Sequence, residues 1–433
     1  RVRGGGRGRR RAEGEHRQHR AGRADGLVHR QGRGRVRRPL RCVEHAPVRH
    51  RGRQAQVERQ AVHPAQPHDR CYRRCPGGTL QFAQTGSSES KNSEGSSQSE
   101  GSIISSVICS SISSGIALIN SHISKKIDLS HCQEIVFSEE LAEIGLSEYL
   151  DTFTNNVEIR TDCAIVISKA KAKDYLKNVK PSLESLTARY YESTLNTNDY
   201  TGYTVNVKLA EFYSAIKDDY SQACAILGGI NTNNYTNTAK INADYTAGEN
   251  PVSDSDVIET LGIAVFSGDK LVGELTGLDS ICHLIINNDF KQCTLSIPNP
   301  YEKNNYIDLL ITSTKKTKCS VDIINNSPLI SIDVYLIGYG LSLDSNTYYN
   351  TEESLNEIKN YAEKYIQNKL ENYLYTTSLA YNSDISGFGK YAVKNYLTLD
   401  EWKKADWLAN YKNCFFNVNV ELTLKSGSLF GES

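Results

Sequence analysis

The run "CFFNVNVELTL" at residues 414–424 constrains the fold of this chain more than any other stretch. Its even positions, Cys414, Phe416, Val418, Val420, Leu422 and Leu424, are apolar, while Asn417, Asn419, Glu421 and Thr423 between them are polar. Successive side chains of a strand point to opposite faces, so this alternation predicts a half-buried strand, read as antiparallel. Each such side chain contributes roughly 1.5–3 kcal/mol when buried, enough to make the strand part of a core. The preceding sequence offers it partners. "LGIAVFSGDKLVGEL" (261–275) reads as strand, Gly-Asp turn, strand. "KCSVDIINNSPLISIDVYLIG" (318–338) reads as a second hairpin, with Ile330, Ile332, Val334 and Leu336 on one face. Thr351 caps a long helix over 352–381, whose inward stripe is Leu355, Ile358, Ala362, Tyr365, Leu370 and Tyr373.

Upstream the elements are shorter. "TLQFAQ" (79–84) and "QEIVF" (133–137) are strand candidates. Ser138 is placed to cap a helix with Glu139 and Glu140 in its first turn, where the helix dipole favours negative charge, and Ser147 to cap the next turn. "EIRTDCAIVISK" (158–169) is apolar on both faces, as a central strand is. "AKAKDYLKNV" (170–179) returns to helix and stops before Pro181. In residues 102–120, Ile104, Val107, Ile108, Ile112, Ile116 and Ile119 fall at helical spacing, so a packed amphipathic helix is expected there. Seven serines in that stretch argue against a membrane span. The expected fold class is α+β in a three-domain arrangement, with antiparallel or mixed sheets packed by helices. The expected boundaries are an N-terminal α/β domain over 79–180, a small irregular middle domain over 181–255, and a C-terminal α+β domain over 256–433.

Residues 1–78 have a different character. Of the 24 arginines, 22 lie in residues 1–74, whereas all lysines lie at Lys91 or beyond. Arg, Gly, His and Pro come from GC-rich codons and Lys, Asn, Ile and Tyr from AT-rich ones. Residues 1–78 are therefore expected to be disordered and foreign to the remainder. Clustered arginines neutralise phosphates, but an RNA-binding reading rests on this segment alone, and no nucleic acid is expected for residues 79–433. No apolar run opens the chain, so no signal peptide is expected in it.

Little in the sequence points to chemistry. The eight cysteines after residue 75 are scattered without CxxC pairs, as small buried hydrophobes are. His63, His68, Cys71 and Cys75 could surround zinc, but the gap between the pairs is too short to fold a finger. "SGFGKY" (386–391) contains Gly-x-Gly-Lys, yet a phosphate loop needs Ser or Thr after the lysine and position 391 is Tyr. Gly387 and Gly389 are expected instead to end the long helix and turn the chain. His122, His131 and His283 lack the spacing of a nucleophile or zinc motif. No catalytic residue, cofactor or metal is expected, and the chain is read as not an enzyme. Arg160, at the head of an apolar strand, is expected to pair with a carboxylate or to contact a partner.

Four stretches together resemble the Ger(x)C family, the C subunits of spore nutrient germinant receptors. They are "HCQEIVFSEELAEIGLSEYLDTFTNNVEIRTDCAIVISKAKAKDYL" (131–176), "LGIAVFSGDKLVGELTGLDS" (261–280), "SDISGFGKY" (383–391) and "EWKKADW" (401–407). The resemblance implies a three-domain, non-enzymatic protein. It implies lipid anchoring to the outer face of the spore inner membrane, and membrane-embedded A and B subunits as partners. It also marks Gly387, Phe388 and Gly389 as a family signature. The family's lipobox is not found before Cys42, Cys71 or Cys75, so no lipidated cysteine is expected in this chain. A second reading is a lipid-anchored protein that itself binds a small nutrient.

Overall fold

In β4 (Ala164–Ser168) every residue is buried, and neighbouring side chains enter two different cores. Ala164 and Val166 join one core, Ile165 and Ile167 the other. A strand covered on both faces must be apolar at every position, because period-two alternation sends odd and even side chains to opposite sides. The computed structural model describes residues 77–82, 103–179, 187–231, 240–251, 258–302, 305–325, 327–343 and 351–425.

β4 is the second strand of a five-stranded sheet, ordered β3 (Glu134–Ser138), β4, β5 (Cys224–Ile230), β6 (Ile258–Ser267) and β7 (Lys270–Leu275). β3, β4 and β5 run parallel, and β5, β6 and β7 antiparallel. One face of this sheet packs on α1 (Ile112–His122), α2 (Glu139–Ile144), α3 (Ser147–Thr154) and α6 (Leu209–Lys217), with Phe212 meeting Phe266 edge-on at 5.0 Å. α4 (Ala172–Lys177) and α5 (Thr187–Asn196) lie toward the other face, where Tyr175 and Leu195 are buried. That second face shares its core with α7 (Gly277–Asn287), α8 (Glu352–Tyr375) and a second five-stranded sheet.

The second sheet runs β10 (Lys318–Ile324), β11 (Ser327–Leu343), β9 (Tyr306–Ser313) and β8 (Gln292–Pro298), all antiparallel. β12 (Phe415–Lys425) lies along the other side of β11 and parallel to it, from Leu329 opposite Phe415 to Tyr339 opposite Lys425. The alternation read in the sequence holds, since Val418, Val420 and Leu422 are buried. The antiparallel direction does not. The chain reaches β12 from β11 by way of α8, a crossover that parallel pairing requires and that alternation cannot reveal. α8 also serves the outer edge of β12, where Glu363 Oε1 accepts the Leu422 backbone N–H at 2.8 Å.

Other expectations change for local reasons. Residues 102–120 divide into β2 (Ile103–Ile108), paired with β1 (Gly77–Phe82), and α1, which begins after Ser111. Ser111 caps α1 by accepting the Ser114 N–H at 3.2 Å, so the serines break the predicted helix in two. Ser138 precedes α2 without a side-chain cap. Ser147 lies inside α3, its N–H held by Asp269 Oδ2 at 3.2 Å. The first five-stranded sheet runs through the boundaries expected at 180/181 and 255/256, because β4 pairs with β5 and β5 with β6. Gly77 and Gly78, grouped by composition with the arginine-rich segment, open β1. Residues 1–76, with His63, His68, Cys71, Cys75 and the segment expected to be disordered, lie outside the described residues. No helix among the described residues is long and apolar enough to cross a membrane.

Candidate functional site

The stretch "SDISGFGKY" folds around its own aspartate. α8 runs to Tyr375, one π-helical turn follows (Thr376–Ala380), and Asn382 adopts φ +45° to redirect the chain. Gly387 and Gly389 thus lie beyond the helix end and do not terminate it, contrary to the reading from sequence. Asp384 is fully buried, and its carboxylate gathers the N–H groups of the turn that follows. Oδ1 accepts from Phe388 N at 3.0 Å, and Oδ2 accepts from Gly389 N at 2.9 Å and from Trp407 Nε1 at 2.8 Å. Burial pushes its pKa up to about 6 against these bonds, which favour the anion, so the group is a carboxylate at neutral pH. The Asp384 carbonyl accepts the Gln222 N–H at 2.9 Å, and Ser383 Oγ donates to the Phe266 carbonyl at 2.5 Å. The motif therefore clasps the first sheet to the turn between α8 and β12.

Gly387, Phe388 and Gly389 each have a separate task. Gly387 takes φ +70°, the left-handed conformation that glycine adopts at least cost. A Cβ on Gly389 would run into the Tyr220 carbonyl oxygen and the Trp407 ring. Phe388 is fully buried, stacked on Tyr411 at 6.4 Å between centroids. Trp402 and Trp407 stack in turn, and Tyr220 also stacks on Trp402, at 5.4 Å.

A second buried chain of polar groups leads from this turn. Ser386 Oγ meets Tyr373 OH at 2.8 Å, and Tyr373 OH meets His283 Nδ1 at 2.8 Å. Asn287 Nδ2 donates to His283 Nε2 at 3.0 Å, leaving Nδ1 as the protonated nitrogen of the neutral ring. Burial lowers His283 to about 4, which keeps it neutral. The side chains of Ser383, Asp384, Ser386, Tyr373 and His283 are each hydrogen-bonded within the protein, an arrangement suited to holding elements together.

Arg160 lies elsewhere. It pairs with Asp162 at 2.6 Å, both side chains more than half exposed, on the wall of a polar cleft of about 250 Å³ with His131, Cys132, Glu192 and Lys208. The structure brings Gly387, Phe388 and Gly389 together and leaves Arg160 apart from them. Glu134, just past the cleft wall, has a buried Oε2 without a hydrogen-bond partner. Burial, aided by the Cys132 charge, pushes it up to about 8. Asp384 and Trp407 were not singled out from sequence, Tyr373 was read only as part of the inward stripe of the long helix, and His283 only as lacking a motif. The available signal was that both tryptophans of the chain fall in "EWKKADW". Among the described residues no group of three or more His, Cys, Asp or Glu side chains could hold a metal ion.

Two family models match the chain. Residues 77–232 match the spore germination protein N-terminal domain, and residues 261–427 match the spore germination B3/GerAC-like C-terminal domain. The spore germination protein GerQC of Bacillus cereus is 20% identical over 296 residues, covering 68% of this chain and 74% of its own. The crystal structure of the GerBC protein is similar with a TM-score of 0.49 and 13% identity, covering 81% of this chain and 97% of that one.

Proposed function

Because this chain belongs to the Ger(x)C family of spore germination proteins, we propose that it acts as the non-enzymatic C subunit of a nutrient germinant receptor. In this reading it works through protein contacts with membrane-embedded A and B subunits, at the outer face of the spore inner membrane, held there by a lipid anchor. The observation that carries the proposal is the family match on both halves of the described chain. The site geometry supports it, since the signature residues are consumed by internal hydrogen bonds and packing. Arg160 and its cleft are the natural partner-facing surface, because an exposed guanidinium beside an exposed carboxylate can exchange that weak pair for a partner's.

Pull-down from spore membranes, with this chain carrying a lipid-anchor sequence as bait, tests the reading. Co-recovery of A and B subunits supports it, and recovery of the chain without them counts against it. The cleft favours one other reading, direct binding of a small polar nutrient between Arg160, Lys208 and the carboxylates of Asp162 and Glu192. A thermal-shift screen against amino acids and sugars separates the two, since only the second predicts a saturable rise in Tm.

A further inference from the structure

Two cysteines meet beneath the cleft. Cys132 lines it and is half-buried, whereas Cys163 is buried behind it. Each stands just before a strand of a parallel pair, Cys132 before β3 and Cys163 before β4. The ladder extends into this region, as the Ala164 N–H donates to the Gln133 carbonyl at 2.8 Å. Glu134 lies opposite Ala164, so Cys163 falls beside Gln133 and Cys132 one residue further along. Neighbouring strands are about 4.8 Å apart and rise about 3.3 Å per residue, which places the two Cα atoms about 6 Å apart. Disulfides span Cα separations of about 4.4–6.8 Å, and both side chains meet the same core, Cys163 within it and Cys132 packed against it. The Cys132 Sγ also approaches the Glu134 carbonyl, at 3.5 Å.

We propose that Cys132 and Cys163 form an exchangeable thiol pair, closed to an intramolecular disulfide by a small-molecule disulfide that enters through the cleft. Cys132 thiolate attacks one sulfur of the small disulfide, forming a mixed disulfide and releasing one thiolate, which takes up a proton. Cys163 then gives its proton to water and attacks the Cys132 sulfur. The Cys132–Cys163 bond forms as the second small thiol leaves. Two protein thiols are oxidised and one small disulfide is reduced to two thiols.

Access and acidity agree on the order of attack. The neighbouring Cys163 thiol lowers Cys132, while the neighbouring Cys132 and burial raise Cys163, so Cys132 is the thiol that ionises first. Once Cys132 is in the mixed disulfide it carries no charge, and this obstacle to ionising Cys163 disappears. Among the described residues, Cys224, Cys293 and Cys319 are poor competitors, since burial pushes the first two up to about 12 and the third up to about 11. Closure would tie the approach to β3 to the approach to β4, directly below the Arg160 turn, whose carbonyl accepts the Cys163 N–H at 3.5 Å.

The test is peptide mapping by mass spectrometry of the full chain incubated under native conditions with oxidised glutathione. The expected product is a cross-linked peptide pair containing Cys132 and Cys163, which dithiothreitol reverses. Cys163→Ser should instead retain a stable glutathione adduct at Cys132, and Cys132→Ser should leave Cys163 unmodified. An adduct persisting at Cys132 of the parent chain beside a free Cys163, or no modification of either, would overturn the proposal.

Discussion

Trp407 and Asp384, 23 positions apart, are joined by a buried hydrogen bond of 2.8 Å from the indole N–H to a carboxylate oxygen that Gly389 N also reaches. This bond ties the turn after α8 to the short helices before β12. It makes the turn over residues 384–389 a device for holding the crossover between two parallel strands. The acceptor must be an anion or a paired oxygen, because three N–H donors converge on it.

Asp384→Asn keeps the shape and replaces one acceptor with a donor. Whichever way the amide turns, at least one buried N–H faces an NH₂ group. The expected loss is about 1–3 kcal/mol, read as a lower urea midpoint. An unchanged midpoint would refute the clasp.

The signature glycines should respond unequally to alanine. Gly387→Ala meets no atom closer than 3.5 Å and costs only its left-handed φ, about 1–2 kcal/mol. Gly389→Ala drives a methyl into the Tyr220 carbonyl and the Trp407 ring, and should cost more through displacement of the clasp. Comparing the two by thermal unfolding checks the order.

Glu134 should set an alkaline limit on stability. Its pKa is raised from 4.5 to about 8 in the folded protein, so between those values the folded state holds a proton that the unfolded state has lost. Its contribution is complete below about 4.5 and disappears as pH rises through about 8. Glu134→Gln should flatten that decline. Urea midpoints of parent and variant across the range should diverge with increasing pH, and parallel curves would refute the assignment.

Arg160→Ala and Phe388→Ala separate surface from core. The exposed Arg160–Asp162 pair is worth less than about 1 kcal/mol, so Arg160→Ala should unfold like the parent while slowing germination if this face meets a partner. Phe388 is fully buried, and its truncation should cost about 3–5 kcal/mol and act through the fold. Normal germination of spores carrying Arg160→Ala would remove the cleft from the proposed interface.

The sequence by itself determined the elements whose burial leaves a period. The apolar run of β4, the hairpins of β6–β7 and β10–β11, the stripe of α8 and the alternation of β12 were all legible, because face and core are written into local side-chain order. Tertiary structure alone decided what depends on distant partners. The direction of β12 follows from the α8 crossover, and the join of β5 to β6 across an expected boundary follows from pairing that no local window contains. The division at Ser111 was the exception, a local cap outweighed in the reading by a longer apolar spacing. "SDISGFGKY" was visible as a motif, but its purpose was not. Asp384 finds Trp407, and Gly389 finds Tyr220, only when residues far apart in the chain close around the same buried carboxylate.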